Sequence, residues 1–285
     1  MGNISIYNKK PRILDSILLG LIYLSSLLSV LLLVSIIGYV FYRGIGVINL
    51  SFVTGVQSTI NETFGILPNI INTLYIIILT LMIALPIGIG SAIYLTEYCK
   101  NLKFVRIIEF TTETLAGIPS IIYGLFGMVF FGITLKLGYS ILCGSLTLTL
   151  MVLPIIIRTT TESLKTVPKG YRDSAIGIGS TKWYMIRTII LPSATPGIIT
   201  GTILAMGRII GESAALLFTA GSAFLLPKSL FSHILNSGGT LTIQMYLSMS
   251  KAEYDNAFGI GLVLLILVLL LNLFTKFIIK ISKKG

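Results

Sequence analysis

From Ser16 to Tyr42 the chain carries no charged residue; the run consists of Leu, Ile, Val, Ser, Gly, Tyr and Phe. A helix needs about 20 such residues to cross the hydrocarbon core of a bilayer, where no water is present to satisfy backbone polar groups. The run therefore predicts a membrane-spanning helix. Five more runs follow, so the expected spans are 14–41, 70–96, 118–137, 140–160, 189–218 and 257–278. Only 11% of the 285 residues are charged, against about 25% in soluble domains. The expected fold class is all-α, a polytopic membrane protein with six transmembrane helices. The first run is about twice the length of a signal-peptide core and no small-residue cleavage site follows it, so it reads as a retained helix. The expected organisation is a cytoplasmic N-terminal segment, 1–13, and one transmembrane domain, 14–285.

Lys and Arg concentrate in cytoplasmic loops. With the N-terminus placed in the cytoplasm, sixteen of the 21 basic residues fall on that side. Four (Arg43, Lys136, Lys228, Lys251) fall outside, and Arg208 stays within the membrane. Both termini are therefore expected in the cytoplasm. This topology and anionic lipid headgroups account for the net charge of +11 without nucleic acid. Cys99 and Cys143 lie in unlike surroundings and are not expected to pair. One His and two Cys do not make a metal site. No catalytic constellation is present. No G-x-x-x-x-G-K-[ST] loop occurs either, so the chain has no phosphate-cradling loop of its own and no cofactor is expected.

The longest expected cytoplasmic connection is 158–188, and from Lys165 to Pro192 the chain reads KTVPKGYRDSAIGIGSTKWYMIRTIILP. Pro168 suits a helix start. Gly177 and Gly179 favour its end, because glycine adopts left-handed conformations freely. Ser180 or Thr181 can cap a second helix from Lys182. The segment is expected to form two short helices meeting at Gly179. An amphipathic interfacial loop is the plainer reading of the same composition. The spacing of Asp173, Ser174, Ala175, Gly179, Ile189, Leu191 and Pro192 resembles the EAA loop of ABC importer permeases. That resemblance implies an ABC importer type I permease fold, and a loop that docks on a separate ATP-hydrolysing subunit. Asp173 and Ser174 stand where that pattern has Glu and Ala.

Three further stretches narrow the family. TLAGIPSIIYGLFG (114–127), NTLYIIILTLMIALPIGIGSAIYLTEY (72–98) and GESAALLFTAG (211–221) are similar to segments of phosphate ABC importer permeases. The last resembles a GETAPLLFTAG-type signature of their PstA-type subunits. Ala215 replaces a proline there, so the fifth span is expected to run straighter. The resemblance implies a permease, not an enzyme, in a bacterial inner membrane. Its implied partners are a related PstC-type permease, two ATP-binding subunits, an external phosphate-binding protein and phosphate. Gly117, Pro119, Ser120 and Gly124 read as a packing seam or as a helix break at the substrate path, packing being favoured.

Arg208 and Glu212 are four residues apart inside an apolar run, so a continuous helix would place them on one face. Two readings stand: a structural ion pair, or a cationic step for an oxyanion with Glu212 accepting a phosphate P–OH proton. A guanidinium suits phosphate oxygens. Arg158, after Pro154, reads either as a second cationic step or as positive-inside anchoring. Glu109 and Glu113 are expected to face the cytoplasmic interface or the ATPase rather than the substrate. A permease for sulfate or molybdate is the nearest alternative function; a stand-alone channel or secondary transporter would have no use for the 165–192 loop.

Overall fold

The computed structural model describes residues 13–58, 63–227, 229 and 232–282. The expected N-terminal segment lies outside them except for Ile13. In chain order the elements are α1 (Ile13–Gly44), α2 (Leu50–Thr54), an antiparallel hairpin β1 (Val56–Ser58) and β2 (Thr63–Ile66), and α3 (Leu67–Ile93). A π-helical turn carries α3 on to Tyr98. Then come α4 (Leu102–Ala116), α5 (Ser120–Gly127) with a π-helical extension to Thr134, α6 (Ile141–Thr166), α7 (Lys169–Gly177) and α8 (Lys182–Met185). The chain closes with α9 (Leu191–Ile210), α10 (Ala214–Thr219), a 3-10 turn (Ser232–Leu235), α11 (Leu241–Ser250) and α12 (Tyr254–Ser282).

Among the described residues, five helical stretches are long and apolar enough to cross a membrane alone. The sixth span exists only as the pair α4 and α5, bent by 99° at Gly117–Pro119. Two expectations change here. The third span, expected at 118–137, is the bent pair Leu102–Ala116 and Ser120–Thr134, of which only the second limb overlaps the expected run. The fifth does not run to 218: α9 ends at Ile210 and α10 begins anew at Ala214. The hairpin is a small addition to an otherwise helical fold.

Helices in lipid gain little from hydrophobic association, so close approach and hydrogen bonding decide which helix sits inside. That helix is α6. Its Leu148, Val152 and Ile156 cluster with Ile76, Ile77 and Ala84 of α3 and with Ala205, Met206 and Ile209 of α9. Thr147 and Thr149 stay buried because each hydroxyl donates to the carbonyl four residues back, at 2.8 Å. Gly201 of α9 lies directly on Thr159, where a Cβ would overlap the side chain. By contrast α1 packs mainly along α12, with Gly44 seated on the Phe258 backbone.

The alternation of spans puts the hairpin, the turn before α6 and the 221–253 segment at one end, and α4, α7 and α8 at the other. The first end is tied by backbone bonds: Ser140 N–H to Thr219 O (3.1 Å), Ile141 N–H to Asn236 O (3.0 Å) and Gly238 N–H to Ala220 O (3.0 Å). His233 is buried there. Asn72 Nδ2 donates to Gly239 O, which leaves its Oδ1 to accept from His233 Nε2–H at 2.7 Å. Burial lowers the His233 pKa, which favours the neutral imidazole.

Candidate coupling loop and translocation path

The 165–192 segment folds as two short helices around a glycine. Pro168 is the N-cap of α7, and Gly179 at φ +82° turns the chain into the left-handed region. Thr181 caps α8 by accepting from Tyr184 N–H. A π-helical turn, Ile186–Ile190, precedes Pro192. The wider turn accommodates a ring that has no N–H to give and would crowd a carbonyl of the preceding turn.

The loop has an inner and an outer side. Ala175 is buried in a cluster with Ala92, Leu164, Val167, Met185, Ile186 and Ile190, and Ile189 and Leu191 pack against it. Asp173, Ser174 and Gly179 face out, with Tyr171, Ile176 and Ile178; Pro192 is exposed as well. Among the described residues Asp173 has no ion pair. Three residues that the spacing did not single out hold the loop to the bundle: Arg172, Glu97 and Lys182. Arg172 Nη2 meets Glu97 Oε1 at 2.8 Å in a part-buried pair. Lys182 Nζ donates to the Glu97 carbonyl oxygen. In the sequence Arg172 and Lys182 counted only as topogenic cations. Glu97 was readable only as a lone acid ending an apolar run.

The second region is the pair of broken helices. At the α4–α5 bend the Tyr123 hydroxyl donates to Leu115 O at 2.9 Å, across the break. Gly124 is buried against the Ala215 backbone, 2.7 Å from where its Cβ would stand, so α5 and α10 pack in contact. Gly117 caps α4, Pro119 is the N-cap of α5 and Ser120 its first residue. The stretch is thus both a packing seam, at Gly124, and a break, at Gly117–Pro119.

Arg208 and Glu212 do not share a helix face. Gly211 ends α9, so the 3.6-residue period stops between them. Glu212 is buried; its Oε1 accepts from Ala215 N–H at 3.1 Å and its carbonyl from Thr242 Oγ1 at 2.7 Å. Arg208 is exposed in the last turn of α9, and among the described residues no ion pair reaches it. No ion pair joins Arg208 to Glu212 in this structure. Nor does Ala215 straighten the span. It is the second residue of α10, a first-turn position that tolerates proline anyway.

Arg158 is exposed, towards the α7 end of α6. Its Nε lies 3.0 Å from Glu162, and its Nη1 lies 4.0 Å from Glu113 of α4. Lys165 pairs with Glu109 of α4 at 2.8 Å. These groups, with Thr112 and Thr161, line a cavity of about 250 Å³. Glu109 and Glu113 are therefore turned toward α6. Under the bend lies a larger cavity of about 420 Å³, lined by Leu115, Ile118, Tyr123, Leu153 and Pro154 among others. Its apolar walls offer nothing to an anion.

A helical bundle with up to six spans and an ordered, partly buried loop between two of them defines a multi-pass membrane protein of the permease type. The chain belongs to the binding-protein-dependent transport system inner membrane component family, whose model matches residues 84–285. It is 32% identical over 275 residues to the phosphate transport system permease protein PstA of Haemophilus influenzae, covering 96% of each chain. It is 36% identical over 210 residues to the probable ABC transporter permease protein YqgI of Bacillus subtilis, covering 74% of this chain and 71% of that one. Among solved structures, a chain of the bacterial alginate ABC transporter in complex with its alginate-bound periplasmic protein superposes with a TM-score of 0.65 at 17% identity. It covers 93% of this chain and 96% of that chain.

Proposed function

We propose that the chain is a permease subunit of an ATP-driven phosphate importer, forming half of the translocation path with a related permease. A separate pair of ATPase subunits binds ATP and docks on the outer side of the 165–192 loop. An external binding protein delivers phosphate to the opposite end. Both termini face the cytoplasm, and 14–285 act as one transmembrane domain.

The observation that carries this reading is Arg208. Its guanidinium stands exposed at the end of an apolar helix, without an ion pair among the described residues. Arg208 lies in the last turn of α9, where the chain breaks before α10, and an arginine left facing lipid inside a membrane is costly. Its face therefore looks onto water or a second subunit, where it is free to bind an oxyanion. Arg158, engaged by carboxylates, offers a second and weaker step nearer the loop; a transit site must also release. In this reading the free carboxylate oxygen of Glu212 accepts from an oxyanion that still carries a proton, which phosphate does and sulfate does not. The full-length relation to a phosphate permease supports that substrate.

The test is reconstitution of the chain with partner permease, ATPase and binding protein in proteoliposomes. ATP-dependent uptake of phosphate in preference to sulfate is expected. Uptake of sulfate instead overturns the substrate, and uptake that needs no ATP overturns the importer in favour of a channel.

A further inference from the structure

We propose that Arg172 and Glu97 form the joint through which movement of α7 enters the membrane helices α3 and α6. The inference rests on the importer reading above and assigns positioning roles within it.

One guanidinium reaches three elements. From α7, Arg172 Nε and Nη2 donate to Glu97 Oε1 at 3.1 and 2.8 Å, on the π-helical turn that ends α3. Nη1 donates to Val167 O at 2.8 Å and Nη2 also to Leu164 O at 3.0 Å, at the end of α6. The last carbonyls of a helix lack intrahelical partners, so these bonds close the terminus of α6 as well. The pair is sheltered, with side-chain exposures of 19% for Arg172 and 5% for Glu97. The same Glu97 accepts Lys182 Nζ of α8 at its carbonyl, and that ammonium stands 4.9 Å over the Tyr98 ring. The two helices flanking Gly179 thus converge on one turn of α3.

Holding the loop in place does not require this arrangement. A buried ion pair contributes little net stability compared with apolar packing, and α7 already buries Ala175 in the cluster beneath it. What the planar fork adds is a fixed angle between α7, α3 and α6, which a single-point ammonium cannot impose. A push on the outer side of α7 is then passed to two spans together.

The experiment uses the reconstituted importer and reads two quantities: ATP hydrolysis stimulated by phosphate-loaded binding protein, and phosphate carried per ATP. The double variant Glu97→Gln/Arg172→Gln removes both charges and leaves neither stranded. Arg172→Lys keeps the charge and loses the fork. The double variant is expected to assemble and hydrolyse ATP near the wild-type rate, while phosphate per ATP falls about fivefold or more, the size of an ordinary coupling between sites. Arg172→Lys is expected in between. A double variant with wild-type phosphate per ATP overturns the joint. So does one that loses assembly and hydrolysis together, since the pair is then only a folding or docking contact. Failure of the wild-type chain to import phosphate with ATP strikes the importer reading instead, before any variant is compared.

Discussion

Arg208 and Glu212 meet the membrane in different ways. Glu212 is buried and takes its hydrogen bond from the backbone of the next helix. Arg208 remains outside the packed core. Neutralising Arg208 therefore strands no carboxylate, and Arg208→Gln should leave the chain assembled with its partners while phosphate uptake is lost. Adding Glu212→Gln should not restore it. Wild-type uptake by the assembled double variant, measured in proteoliposomes, would remove Arg208 from the path. The two residues were legible in the sequence because charge is rare in such runs; their separation was not. The signal was present: Gly211 and Ser213 are stop and start residues for helices, but the unbroken apolar run around them favoured a single span. Ala215 is instructive in the same way. Its value lies in the N–H that Glu212 accepts, a donor that a proline at that position lacks.

The two-helix loop was legible as an element, including its glycine turn and its Thr181 cap, because caps and glycines are local signals. Its attachment was not, since Glu97 and Arg172 lie 75 positions apart. Nothing stands within 4 Å of a Cβ built on Gly179, while its φ is +82°. Any side chain there pays backbone strain of about 1–2 kcal/mol, and only one that projects far meets a docked partner. Gly179→Ala and Gly179→Leu separate these effects. Both should shift the turn, and Leu should further lower phosphate carried per ATP in the reconstituted importer with the subunits still assembled. Equal coupling in the two variants would mean that no partner closes over this turn. The α4–α5 bend shows the limit of pattern reading at this scale. Gly117 and Pro119 read as a packing seam or a break, and neither reading gives the 99° angle; the α4–α6 contacts, such as Lys165–Glu109, join residues far apart in the chain.

For the whole molecule, hydropathy indicated how many spans to expect but not which lies innermost. The uninterrupted apolar run of α1 is the most peripheral, because lipid solvates it as well as protein does. The Ser-, Thr- and Gly-bearing α6 is central, because small and hydrogen-bonding residues let neighbours approach. The orientation proposed from the basic residues puts α7 and α8 in the cytoplasm and the α11 end of the bundle outside. Exposed positions at the two ends test it directly. Ile178, beside the Gly179 turn, is 85% exposed, and Leu235 at the other end is 59% exposed. Cys143 is buried and only Cys99 is partly accessible, so Cys99→Ser provides a quiet background. In that background Leu235→Cys should react with an impermeant thiol reagent applied to intact cells. Ile178→Cys should react only after the cytoplasmic face is opened. The reverse pattern would invert the chain in the membrane and place the 165–192 loop where no ATPase can reach it.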